Sequence, residues 1–127
     1  MINFSKKYYL TKEETKWVLV DFDGTIHPYD KKDKKYNIKN PPMKGAKETL
    51  EKIRELGYKI IIYTARPWNE YKPIEEYLLY YQIPFDRIFC GKVFGVLLID
   101  DKAFRLTNWQ KDKRQILKLL TKRKKEL

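Results

Sequence analysis

Trp17-Val18-Leu19-Val20-Asp21-Phe22-Asp23-Gly24-Thr25 is the stretch from which the rest of this chain is read. Four apolar residues run straight into two carboxylates one residue apart, and Gly24-Thr25 then turns the chain away. A buried strand delivers reactive groups to the edge of a sheet in this way. Asp21 and Asp23 are therefore expected side by side at a strand's carboxyl end. There the two charges repel in a low-dielectric cleft, and a hard cation that prefers oxygen ligands, Mg2+ above all, relieves them. A carboxylate held in that way can act as a nucleophile toward phosphorus. A calcium loop does not fit, because Gly24 stands at the fourth position and no third acid precedes it. A turn with two solvated acids is the plainer alternative. The coincidence of strand, acid pair and Gly-Thr turn argues against it.

Outward from this stretch, strands and helices alternate. Residues 1–16 read as a short lead-in, in which Phe4, Tyr8, Tyr9 and Leu10 can pack on a sheet and Thr11 with Glu14 has capping-box spacing for one helical turn. Residues 26–42 are polar and punctuated by Pro28, Pro41 and Pro42, which predicts a surface flap beside the two aspartates. Met43, Ala46, Leu50 and Ile53 recur at helical spacing until Gly57 stops them. Residues 58–63 are a second strand, apolar on both faces through Ile60-Ile61-Ile62, and end in Thr64-Ala65-Arg66. A helix from about Pro73 to Gln82 turns Ile74, Tyr77, Leu78 and Tyr81 inward. Residues 87–90 are a short third strand, and 96–99 a fourth that ends in Asp100-Asp101. Thr107 with Gln110 has capping-box spacing for a last helix, 107–127, whose apolar side is Trp109, Ile116, Leu117 and Leu120.

Such alternation implies right-handed parallel crossovers and an α/β fold, a three-layer Rossmann-like sandwich around a small parallel sheet. Ligands in such sheets sit at the strands' carboxyl ends, and Asp21, Asp23, Thr64, Asp100 and Asp101 all fall at such ends. A purely structural role would scatter these polar residues.

Composition bounds the function. The chain has 127 residues, enough for one domain with a real core, and 43% hydrophobic with 15% aromatic residues argues for a packed globule. A single cysteine, Cys90, makes no internal disulfide and no metal cluster, which points to a reducing cytoplasm. No apolar run approaches the roughly 20 residues that span a bilayer, and the first ten residues lack a signal-peptide core. A net charge of +11 attracts polyanions without naming one. The charge concentrates in residues 111–127, with eight basic and two acidic side chains, and in residues 30–44, with six and two.

With these residues in place, the chain resembles the haloacid dehalogenase-like phosphatases. The resemblance rests on Asp21-Phe22-Asp23-Gly24-Thr25 after an apolar strand and on Thr64 after Ile60-Ile61-Ile62-Tyr63. Lys92 in a glycine-flanked turn and Asp100-Asp101 after Leu97-Leu98-Ile99 complete it, all in the family's order. The stretch from Gly91-Lys92 to Lys102-Ala103 is most similar to small capless members, some of them associated with polysaccharide or capsule biosynthesis.

The resemblance implies that Asp21 attacks phosphorus and becomes a transient aspartyl-phosphate. Asp23 would protonate the leaving alcohol and later activate water, while its backbone carbonyl joins Mg2+. Family ATPases carry a different residue at that position, so an Asp there implies hydrolysis. Thr64 would hydrogen-bond a phosphoryl oxygen, and Lys92 would neutralise charge on the phosphoryl group and on Asp21. Asp100 and Asp101 point to opposite sides of a strand, so Asp101 is expected to ligate the metal directly and Asp100 through water or by orienting Lys92. Thr25 and Arg66 are candidate substrate contacts, Arg66 for a second anion. His27, the single histidine, has a place on the flap that allows substrate contact but reads more plainly as a bystander.

The chain departs from the family where five residues between Cys90 and Val96 replace a helix. Neither 26–42 nor 65–91 has room for a cap domain, which predicts an open cleft. That suits a phosphorylated substrate as varied as a nucleotide, a sugar phosphate or a nucleic-acid end. The competing class is a basic nucleic-acid-binding protein with an incidental or inert phosphatase-like site, using the flap and the last helix. Helical spacing sends that helix's charges around several faces, which favours plain solvation, and no zinc-finger or aromatic RNA-binding signature is present. Nothing in the sequence indicates an oligomer.

Overall fold

The computed structural model describes residues 12–28 and 40–126. Residues 1–11, which carry the expected packing of Phe4, Tyr8, Tyr9 and Leu10, residues 29–39 in the middle of the expected flap, and Leu127 lie outside the described residues.

Among the described residues, three strands, β1 (Trp17–Val20), β2 (Lys59–Tyr63) and β3 (Arg87–Phe89), form one parallel sheet in the order β1-β2-β3. Val18 pairs with Ile60, Val20 with Ile62, and Ile62 with Ile88, so these β-branched side chains share one face. Three helices accompany the sheet: α1 (Ala46–Glu55), α2 (Tyr71–Tyr80) and α3 (Trp109–Glu126). Right-handed crossovers in a sheet of sequential order put both connecting helices on the same face. The core agrees: Leu50 and Ile53 of α1 and Ile74, Tyr77 and Leu78 of α2 join Val20, Ile60, Ile62 and Ile88. α3 lies outside α1, held by the Tyr58 hydroxyl donating to the Leu120 carbonyl at 2.6 Å and by the Lys124 amine donating to the Leu56 carbonyl at 2.7 Å.

The opposite face carries Leu19, Ile61, Tyr63, Arg87 and Phe89, and Leu19 and Phe89 are about half exposed there. The described residues thus build an α/β fold of a small parallel sheet with helices on one side, two layers of the three expected. The fourth strand expected at 96–99 is not formed, and Val96, Leu97, Leu98 and Ile99 are all exposed. Apolar content alone does not make a strand. A parallel neighbour takes a crossover of roughly a dozen residues, and only Gly91 to Gly95 precedes this run.

Smaller corrections follow the same logic. Ile26 and His27, expected on the flap, are buried, and the Ile26 carbonyl accepts from the Met43 N–H at 2.8 Å, so the flap's roots belong to the core. The lead-in ends in one 3-10 turn, Glu14–Lys16. α2 starts at Tyr71, two residues before Pro73, after a 3-10 turn at Trp68–Glu70. α3 is capped by Asn108 rather than Thr107. The Asn108 Oδ1 accepts from the N–H groups of Gln110 and Lys111, while the Asp112 carboxylate accepts from the N–H groups of Thr107 and Asn108. Among the described residues, no helix is long and apolar enough to cross a membrane.

Candidate active site

The chain leaving β1 wraps around one carbonyl. The Phe22 C=O accepts from the N–H groups of Ile26 and His27, each at 2.9 Å, and the Gly24 N–H donates to the His27 carbonyl at 2.7 Å. Gly24 sits at φ +76°, the left-handed region that favours glycine. The loop buries Phe22 and Ile26 completely and leaves Asp21 and Asp23 as its polar edge. Trp109, from the start of α3, fastens the loop by donating its indole Nε1–H to the Thr25 carbonyl at 2.7 Å. Trp109→Phe leaves that carbonyl in a partly buried place without its donor, which is expected to cost about 1–3 kcal/mol. Chemical denaturation measures this, and a midpoint equal to that of the unaltered protein contradicts the fastening.

Asp23 is gripped from two sides. Arg66 forks its carboxylate, Nε to Oδ2 at 2.6 Å and Nη2 to Oδ1 at 2.8 Å, and His27 Nδ1 lies 3.2 Å from Oδ1. Arg66 also donates from Nη1 to Glu70 at 3.1 Å, and only 12% of its side chain is exposed. The His27 ring stacks on Phe22 and meets Tyr77 edge-on, so its orientation is fixed. Burial alone raises the Asp23 carboxyl, but the hydrogen bonds from Arg66 and His27 outweigh it and bring the pKa from 3.8 down to about 2.

Three expectations change here. Arg66 is a partner of Asp23 and not a free grip for a second anion, because a fork matches a carboxylate with two parallel hydrogen bonds. His27 is an orienting neighbour of Asp23 and not a bystander. Asp23 is a fixed carboxylate in this arrangement and holds no proton to give a leaving group near neutral pH.

Asp21, 44% exposed, faces solvent beside Lys92, whose Nζ lies 3.6 Å from Oδ1. The Thr25 hydroxyl donates weakly to Asp21 Oδ2 at 3.4 Å. Lys92 is held there by the backbone. The Thr64 N–H donates to the Phe89 carbonyl at 2.9 Å, the Gly91 N–H to Arg66 at 2.8 Å, and the Lys92 N–H to Thr64 at 3.0 Å. These bonds extend the β2-β3 pairing into both loops and carry the lysine to the end of β1. Thr64 is buried, and its Oγ1 accepts from the Arg66 N–H at 3.2 Å, which leaves the hydroxyl proton available to donate.

Asp100 and Asp101 are not brought to this place. Both are exposed. Asp100 accepts from the Lys102 N–H at 2.7 Å, and Asp101 lies 3.3 Å from the Lys102 amine. They follow a run that is not a strand, so the alternation expected to aim one of them at the sheet's edge has no basis. Asp21 and Asp23 offer hard oxygen donors suited to Mg2+. Among the described residues, however, no group of three or more His, Cys, Asp or Glu side chains is gathered to hold a metal. Of the four aspartates expected to serve a cation, Asp21 and Asp23 stand at this edge and Asp100 and Asp101 do not join them.

Of the eight residues expected at the site, Asp21, Asp23, Thr25, Thr64, Arg66 and Lys92 meet at the carboxyl ends of β1 and β2 and the turn after β3, with the Asp100-Asp101 pair apart. His27 joins them. Its position four residues after Asp23, across a Gly-Thr turn, is the signal that could have found it.

No protein-family model matches the chain, and no curated protein matches it significantly. Among solved structures, the chain is similar to an MCSG target from Vibrio cholerae, with 26% sequence identity and a TM-score of 0.60. The likeness covers 86% of this chain and 98% of that one.

Proposed function

We propose that this chain is a Mg2+-dependent phosphomonoester hydrolase of the haloacid dehalogenase-like type, a single capless domain that works through an aspartyl-phosphate on Asp21. The observation that carries the reading is the meeting of Asp21, Lys92 and Thr64: an exposed carboxylate with an ammonium 3.6 Å away and a buried hydroxyl, drawn from three loops at one sheet edge. An anion with a cation and a hydrogen-bond donor beside it is the equipment for receiving a phosphoryl group.

An Asp21 carboxylate oxygen attacks phosphorus, the bond from phosphorus to the ester oxygen breaks, and the leaving alcohol takes a proton. Lys92 and Thr64 hold the phosphoryl oxygens as charge spreads over them. The phosphoryl dianion competes with Asp23 for Arg66. As Arg66 transfers to it, burial is left to raise the Asp23 carboxyl, which takes up a proton from solvent, gives it to the ester oxygen as the alcohol leaves, and takes one back from the attacking water. Water attack on the acyl phosphate releases inorganic phosphate and restores Asp21.

Mg2+ when bound supplies charge neutralisation between Asp21 and the phosphoryl oxygens. The residues that would hold it are Asp21, the main-chain carbonyl of Asp23, and Asp101, with Asp100 acting through water. This part of the reading requires the 93–101 segment to move toward β1. Burying Val96–Ile99 against the half-exposed Leu19 favours such a movement.

The test is phosphate release from phosphorylated sugars, nucleotides and 3′- or 5′-phosphorylated oligonucleotides with Mg2+, run beside Asp21→Asn. Release by the unaltered protein alone is expected. No release from any ester, or equal release by the variant, overturns the reading.

The nucleic-acid-binding alternative draws on α3, where Lys111, Arg114, Lys118, Lys122, Lys124 and Lys125 are all exposed. It predicts DNA or RNA binding that weakens steeply with salt, and no binding at low salt dismisses it.

A further inference from the structure

Beside the candidate site lies a group of aromatic rings that the reaction leaves unused. Trp68 is 55% exposed yet firmly held. Tyr71 stacks on it at 13° with centroids 6.2 Å apart, and Phe89 meets it edge-on at 5.4 Å. Phe89, itself half exposed, packs on Tyr63 at 5.6 Å, and the Lys92 amine stands over the Tyr63 ring at 5.2 Å. Gly91, immediately before Lys92, takes φ +77°, and a Cβ there would stand 3.4 Å from the Trp68 indole nitrogen. The indole therefore sits over the turn that presents Lys92 to Asp21.

A large aromatic side chain that leaves half its surface in water forgoes burial, and such a ring fixed by its neighbours is pre-organised to receive a partner. The partner's chemistry follows from what lies next to it. A group bridging Lys92 and Trp68 carries an anion at one end and a flat ring at the other. A saturated sugar ring can lay only its C–H groups on an indole, whereas every nucleobase offers a full π-face. The chain's net charge of +11 favours the same class of ligand.

We propose that Trp68, supported by Tyr71 and Phe89, is a stacking platform for the nucleobase of a substrate whose phosphate lies at Asp21 and Lys92, so that the substrates are nucleoside monophosphates or the phosphorylated ends of nucleic acids. The substrate class rests on the phosphatase reading; the platform itself does not.

Two measurements keep the two ideas apart. The first is kcat/KM for adenosine 3′- and 5′-monophosphates against ribose 5-phosphate, with Mg2+, in the unaltered protein, Trp68→Ala and Trp68→Phe. The nucleotide preference is expected to be at least about fivefold, the low end of what base stacking supplies. It should fall to near unity in Trp68→Ala and be largely kept in Trp68→Phe. Absence of the preference, or its survival in Trp68→Ala, overturns the platform. The second is calorimetric binding of the same nucleotides to the Asp21→Asn protein. Binding weakened about fivefold or more by adding Trp68→Ala supports the platform even where no ester is hydrolysed, and binding indifferent to Trp68 overturns it. A phosphorylated oligonucleotide turned over better than the mononucleotide assigns the nucleic-acid end, and the reverse assigns the free nucleotide. If neither nucleotide nor oligonucleotide binds, the platform is not a nucleobase site.

Discussion

Asp21→Asn is expected to lower phosphate release by at least about 10⁴-fold, the scale on which nucleophile losses fall in enzymes that work through covalent intermediates. The substitution keeps size and shape and removes the anion that attacks phosphorus. Its structural cost should be small. Asp21 is nearly half exposed, its ion pair with Lys92 spans 3.6 Å, and the Thr25 hydroxyl can still donate to the amide oxygen. A pair as exposed as this contributes under about 1 kcal/mol. Activity and stability therefore separate cleanly: turnover collapses while the unfolding midpoint barely moves. Retained turnover by a folded variant removes Asp21 from the mechanism.

Asp23→Asn is expected to slow turnover by about 10² or more, the usual size of a lost acid-base group, and here stability moves as well. Arg66, only 12% exposed, loses the carboxylate it forks, while its ion pair with Glu70 stays. Breaking a fully buried pair costs about 3–5 kcal/mol, and this partly exposed one should cost about 2–3.

The pH dependence has a definite sign. Asp23 titrates at about 2 in the folded protein against an ordinary 3.8, so the unfolded chain takes up the proton first as pH falls. The carboxylate's contribution is complete above about pH 4 and is lost as pH drops toward about 2, and the shift corresponds to between about 2 and 3 kcal/mol at roughly 1.4 kcal/mol per unit. Asn has no such group, so the variant's stability should fall less steeply over that interval. Denaturation curves at several acidic pH values measure the difference. Parallel curves for the two proteins contradict the Arg66–Asp23 grip.

What could be read from the sequence was whatever depends on near neighbours. An apolar run ending in polar residues marks β1 and β2, helical spacing and Gly57 mark α1, and Asp21 and Thr64 fall where the two strands end. Long side chains reaching across the fold could not be read. Arg66 lies 43 residues from Asp23, and nothing in Thr64-Ala65-Arg66 says whether its guanidinium turns outward or back onto the β1 loop. The 96–99 run fails for the opposite reason. Its composition suits a buried strand, but a strand also needs a neighbour, and a five-residue connection does not supply one. With the strand went the basis for placing Asp100 and Asp101. Ile26 shows the same limit in reverse: one apolar residue in a polar segment carries no period, yet the loop around the Phe22 carbonyl folds it into the core.

The proposed reaction turns on a covalent bond between Asp21 and phosphorus. Acetyl phosphate is a direct donor for it, since the aspartyl-phosphate formed is itself an acyl phosphate: the Asp21 oxygen bonds to phosphorus as acetate departs. The measurement is peptide mass mapping of the full chain, acid-quenched after mixing with acetyl phosphate and Mg2+. One phosphoryl group is expected on the peptide containing Asp21, dependent on Mg2+ and absent from Asp21→Asn. A phosphoryl group on another residue, or phosphate release with no modified protein at any time, contradicts it.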